Sequence, residues 1–182
     1  MAMRTLFGMT GRDPEARFLK PEPGLGNIHS REDGVIFLAS DVRRETNEGG
    51  AEPGLRPIEI LVADESPGER RLIETLAEEL SVPVNLRWAD SGERTLAHFS
   101  DGTCQTGHLP DLLLIDPVLP GLDGWEVISQ LRRDGHGESL RVAVMVPQPS
   151  DYMVRRCQEL GIEIILEKPV TAKALERLIE GL

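Results

Sequence analysis

From residue 58 onward, five short apolar runs alternate with five segments of helical periodicity, and few folds accommodate that alternation. The runs are 58–63, 84–88, 112–115, 142–146 and 162–166. The third, Leu112-Leu113-Leu114-Ile115, is unbroken by any polar residue, as expected of a central strand covered on both faces. Each run is followed by a helix-start signal. Ser66 precedes Pro67 at the first helical position, with Glu69 three residues on to complete a capping box; Leu72, Ile73, Leu76, Ala77 and Leu80 then form one apolar stripe. Ser91, Asp123, Ser150 and Thr171 stand where the other four helices begin, and Gly161 ends the fourth. The expected fold class is therefore α/β, a doubly wound five-stranded parallel sheet over residues 57–182 with helices on both faces.

Residues 1–56 read differently. The first 33 are rich in Gly, Pro, Arg and Glu without sustained periodicity, and 47–57 have linker composition. We expect an irregular, poorly ordered N-terminal extension. Within it, Val35-Ile36-Phe37-Leu38-Ala39 is a short apolar run compatible with a strand, a helix start or a docking segment. Net charge is −11, almost all of it on residues 57–182, which argues against nucleic acid or an anionic membrane as partner. No apolar run approaches the ~20 residues of a membrane span, and no secretory h-region opens the chain, so a cytoplasmic location is expected. Cys104 and Cys157 make no disulfide framework, and the four histidines have no metal-ligand spacing.

In an open parallel sheet, functional groups gather at the carboxyl ends of the strands, near the point where strand order reverses. Asp64 and Glu65 end the first strand, Asp116 ends the third and Lys168 follows the fifth. Converging carboxylates repel unless a cation lies between them. Hard oxygen ligands suit Mg²⁺, and a lysine ammonium neutralises further negative charge. The chemistry such a set serves is phosphoryl transfer to an aspartate. Neither a Gly-x-Gly-x-x-Gly phosphate loop nor a Gly-x-Ser-x-Gly nucleophile elbow is present to suggest another enzyme on the same sheet.

Asp64-Glu65-Ser66-Pro67-Gly68, the segment from Asp116-Pro117 through Pro120-Gly121-Leu122-Asp123-Gly124, and Glu167-Lys168-Pro169 resemble the three signature segments of response-regulator receiver domains, which have a flavodoxin-like (βα)5 fold. The likeness covers 58–182 and leans toward single-domain regulators paired with phytochrome-type histidine kinases. It implies that Asp116 accepts a phosphoryl group. It implies direct contact of Glu65 and Asp116 with Mg²⁺, Asp64 acting through water and the backbone carbonyl of Val118 as a further ligand. Lys168 would reach the phosphoryl oxygens, and Pro169 would follow a cis bond. A histidine kinase or phosphotransfer protein would be the donor. With no output domain expected after the fifth helix, signalling would pass by protein contact to a downstream partner, with a homodimer as one arrangement.

Three positions depart from the family pattern. Glu65 stands where Asp is usual, one methylene longer. Pro147, with Val146 or Gln148 as neighbouring registers, stands where Ser or Thr ends the fourth strand; proline offers neither hydroxyl nor N–H. Ile165 replaces the switch aromatic and has no polar tip. The alternative reading is therefore a degenerate pseudo-receiver, a protein-interaction module indifferent to phosphorylation.

Overall fold

The computed structural model describes residues 28–38, 56–100, 108–136, 140–180 and 182. The linker reading of 47–55 and Cys104 lie outside the described residues. Elements run β1 (Ile28–Glu32), β2 (Val35–Leu38), β3 (Ile58–Ala63), α1 (Pro67–Glu78), β4 (Val84–Ala89), α2 (Gly92–Ala97), β5 (Leu112–Ile115), α3 (Gly124–Arg133), β6 (Arg141–Val146), α4 (Asp151–Glu159), β7 (Ile164–Glu167) and α5 (Ala172–Glu180). Strand order is β1-β2-β7-β6-β5-β3-β4. The five strands from β3 onward are parallel, as expected, and the order reverses between β3 and β5.

Two strands lie outside the expected five. Residues 28–38 form a hairpin whose second strand pairs antiparallel with β7, with Val35 opposite Leu166, Ile36 opposite Ile165 and Phe37 opposite Ile164. The sheet is thus seven-stranded and mixed. For these eleven residues the expectation of a poorly ordered extension is corrected, and the open reading of the Val35 run is settled as a strand. The turn between the strands places Asp33 at φ 54° and Gly34 at φ 84°, the left-handed pair that a tight hairpin requires.

Period-2 alternation divides the core in two. Leu61, Leu113, Ile115, Val144, Ile165 and Ile36 face α3 and α4, meeting Val127, Ile128, Leu131 and Val154. Ile60, Val62, Leu114, Met145, Leu166 and Val35 face α1 and α5, meeting Ile73, Leu175 and Leu178. The hairpin therefore contributes to both layers. Helix starts follow the sequence, with side chains of Ser66, Ser91, Asp123, Ser150 and Thr171 each accepting a backbone N–H. One detail differs: Glu69 does not close a box with Ser66. Its carboxylate instead faces the Val170 N–H at 3.5 Å, joining α1 to the turn after β7. Asp123 and Glu126 make the full reciprocal box on α3.

The end of the sheet away from the strands' carboxyl ends is tied by ion pairs. Glu59, nearly buried, accepts from Arg87 at 2.6 Å and Asn85 at 2.8 Å. Asp111 accepts the Glu59 N–H at 2.9 Å and both Arg56 nitrogens at 2.6 and 2.7 Å. Burial pushes the Asp111 carboxyl up, but the Arg56 hydrogen bond, the Glu59 N–H and nearby positive charge outweigh it, holding it below its usual 3.8. Burial likewise holds the His98 imidazole below its usual 6.5 despite a hydrogen bond to Trp88. Both folded values are depressed, so both contributions are complete above the unfolded value and lost as pH falls through the folded one. Stability should therefore decline in two stages, the first starting just below pH 6.5 and the second below pH 3.8. His98→Gln should remove the first stage and Asp111→Asn should reduce the second, in urea midpoints measured from pH 8 to pH 3. A single-stage decline unchanged by either substitution would contradict this assignment.

Candidate functional site

Three strand ends build the site. β3 delivers Asp64, whose N–H is fixed by the Ala89 carbonyl at 2.9 Å, and β5 delivers Asp116, whose N–H is fixed by the Ala63 carbonyl at 2.9 Å. Each aspartate thus borrows its position from the neighbouring strand. The segment after β7 delivers Lys168, whose N–H donates to the Val146 carbonyl at 2.8 Å and whose bond to Pro169 is cis.

Lys168 Nζ lies 2.6 Å from Asp64 Oδ2 and also donates to Asp116 Oδ2. The remaining oxygens are engaged as well. Asp64 Oδ1 accepts the Ser66 N–H at 2.8 Å, and Asp116 Oδ1 accepts the Val118 N–H at 2.6 Å. The side chains of Asp64, Lys168 and Asp116 are 2%, 15% and 18% exposed, so their charges interact across poorly solvated space. Burial draws the Lys168 ammonium down, but hydrogen bonds and charge from Asp116 and Asp64 more than offset it, and the group is held above its ordinary value. It stays charged throughout the neutral range.

Of the residues singled out by sequence, Asp64, Asp116 and Lys168 meet. Glu65 is exposed and lines a cleft of about 240 Å³ beside them, with Ser66, Arg70, Trp88, Asp90 and Arg94. The Arg70 guanidinium lies over the Trp88 ring at 5.2 Å. Val118 is 73% exposed at the rim. Among the described residues, no group of three or more acidic, His or Cys side chains is gathered as a metal site. Mg²⁺ does not need one, since it keeps several waters and takes one or two carboxylates. The donor chemistry of Asp116, Glu65 and the Val118 carbonyl is of that hard-oxygen kind, and three carboxylates against one ammonium leave net negative charge.

β6 ends at Val146, which is fully buried, and Pro147 follows exposed. Neither carries a hydroxyl. Ser150, the next candidate, is spent as the α4 cap, accepting the Met153 N–H at 3.4 Å. Ile165 is fully buried with Ile36 across from it.

Sequence reading missed what holds the loop after Asp116. A Cβ at Gly124 would collide with the Asp116 carbonyl, and one at Gly92 with the Leu122 carbonyl, so both glycines permit backbone to approach backbone. Glu93 Oε1 accepts the Leu122 N–H at 3.1 Å and its carboxylate covers Gly121. The Gly residues were visible beside their helix starts; the pairing of Glu93 with a loop 29 positions away had no local signal.

Comparison with known proteins agrees with this architecture. Residues 60–180 match the family described as response regulator receiver domain. The chain is 28% identical over 124 residues to the probable methanogenesis regulatory protein FilR2 of Methanothrix harundinacea (strain 6Ac), covering 68% of this chain and 80% of that one. Among solved structures, the bacteriophytochrome response regulator AtBRR superposes with TM-score 0.61 at 24% identity, over 70% of this chain and 94% of that one. The Mn²⁺-bound form of response regulator Rcp1 gives 0.57 at 24% identity, over 69% and 91%. Among the described residues no helix is long and apolar enough to cross a membrane. With its sheet order, its strand-end aspartates and the family match over most of its length, the chain belongs to the response regulator receiver domains of two-component systems.

Proposed function

We propose that this chain accepts a phosphoryl group on Asp116 from a histidine kinase or phosphotransfer protein and passes the signal by protein contact. The observation that carries this reading is the convergence of Lys168 Nζ on Asp64 and Asp116 at the ends of three strands. Asp116 Oδ2 attacks phosphorus; the new P–O bond forms as the P–N bond to the donor imidazole breaks, and the imidazole leaves with the electron pair and takes a proton from water. Lys168 shifts from Asp116 to the phosphoryl oxygens, where it offsets their charge, while its bond to Asp64 keeps it in place. The Val118 N–H holds Asp116 Oδ1 and so aims the other oxygen. Asp116, Glu65 and the Val118 carbonyl would hold Mg²⁺, with Asp64 acting through a water; the metal supplies charge neutralisation at the transferring group. Arg70 and Arg94 flank the cleft that Glu65 lines, each paired with a carboxylate, Glu74 and Asp90 respectively.

The reading predicts Mg²⁺-dependent labelling of wild type by radiolabelled acetyl phosphate, with labelling lost in Asp116→Asn and reduced at least tenfold in Lys168→Ala. Wild type that stays unlabelled at high donor and Mg²⁺ would overturn it. A second reading, a phosphorylation-independent interaction module, is favoured by the missing hydroxyl at Val146 and Pro147 and the buried Ile165. It requires partner binding that is identical in wild type and Asp116→Asn, with or without donor.

A further inference from the structure

The β1–β2 hairpin lies outside residues 60–180, the span that matches the family, yet it touches the Lys168 segment at several points. The Glu167 N–H, immediately before Lys168, donates to the Gly34 carbonyl at 2.8 Å. The Glu167 carboxylate accepts from Arg31 at 2.6 Å. Thr171 Oγ1, three residues past Lys168, faces the Asp33 carbonyl at 3.4 Å. Arg177 of α5 pairs with Glu32. The hairpin turn thus grips the chain on both sides of the lysine, and its apolar residues Val35 and Ile36 seat it in the core.

We propose that the hairpin is a positioning element of the Asp116 site, with Arg31 and the Asp33–Gly34 turn fixing where the Lys168 ammonium sits. The physical reason is a chain of short links. Lys168 has four rotatable side-chain bonds, so its ammonium finds two carboxylates at once only if its backbone is held. On one side β6 holds it through Val146; on the other, the strand that would otherwise be the sheet's open edge is held by β2. Without that second support the residue before Lys168 loses its N–H partner and its carboxylate's partner together. A displacement of about an ångström at a transferring group is enough to cost up to a hundredfold in rate. The inference rests on the reading of Asp116 as acceptor for its kinetic consequence, but not for its structural one.

The test uses full-length protein with Arg31→Ala, Arg31→Lys and the turn variant Asp33→Val/Gly34→Val, which keeps the buried apolar residues. Two readouts are needed. The first is the maximal rate of Asp116 labelling by acetyl phosphate with Mg²⁺, separated from donor half-saturation. The second is ¹³Cε relaxation of Lys168, resolvable because the chain has three lysines and Arg31→Lys adds one. Arg31→Ala and the turn variant should lower the maximal rate roughly three- to tenfold with little change in half-saturation, and should increase Lys168 side-chain mobility. Arg31→Lys should recover most of both, with far-ultraviolet circular dichroism unchanged throughout. If Lys168 mobility is unaltered in both variants while hairpin amides lose exchange protection, the proposal is wrong. Wild type that never labels would remove the acceptor reading, and Lys168 relaxation would still decide the positioning claim.

Discussion

Ile36→Ala should destabilise the protein by about 2–5 kcal/mol, the range for truncating a fully buried branched aliphatic side chain. Ile36 has no exposed surface and sits on β2 between Arg31 of β1 and Ile165 of β7, facing the α3 and α4 layer. The substitution removes three carbons and leaves a gap beside Ile165 that rigid strand neighbours cannot fully close. The residue lies 24 positions before the family match begins, so a hairpin merely resting on the surface would give a far smaller effect. Equilibrium urea unfolding measures the difference. A loss under about 1 kcal/mol would mean that the hairpin is not a working part of the core.

Lys168→Met should cost about 3 kcal/mol in metal-free buffer, the lower end of the 3–5 kcal/mol seen when one partner of a buried ion pair is removed. Methionine preserves the apolar stem but leaves Asp64, with a side chain only 2% exposed, and Asp116 facing each other without a cation. The Ser66 and Val118 N–H groups remain on the carboxylates and keep the loss from being larger. Adding Asp116→Asn removes one negative charge and should recover at least half of it, which a double-mutant cycle would report as strong coupling. Near-additive losses, or a single variant as stable as wild type, would show that the three groups do not share charge in solution.

Much of this was legible in the sequence because the parallel core obeys local rules. Leu112–Ile115 reads as a central strand from its unbroken apolar run, and Asp116 is placed by where that run stops. Asp123 and Glu126 announce α3 by their spacing. The same rules fail where partners are distant. Val35–Leu38 serves both core layers, so its residues show no alternation that distinguishes strand from helix. β1, with Ser30, Arg31 and Glu32, is a polar outer strand whose meaning lies in Glu167 and Arg177, far along the chain. Glu69 carries a correct cap spacing but spends its carboxylate on Val170 instead. Asp64, Glu65, Asp116 and Lys168 were foreseeable as a set from their strand ends; the arginines Arg70 and Arg94, which line the cleft with Glu65, were not.

The pairing of Arg31 with Glu167 spans 136 positions. The strand pairing and ion pairs that seat the hairpin join some of the first described residues to some of the last. Closing a loop of that length carries an entropic cost that the hairpin's own few residues cannot offset before β7 exists as a strand. On a ribosome, the hairpin leaves the tunnel early and waits through the synthesis of almost the entire domain. The edge of β7 can be covered only after residues 164–167 have been made, so some of the sheet's earliest residues depend for their pairing on its last strand.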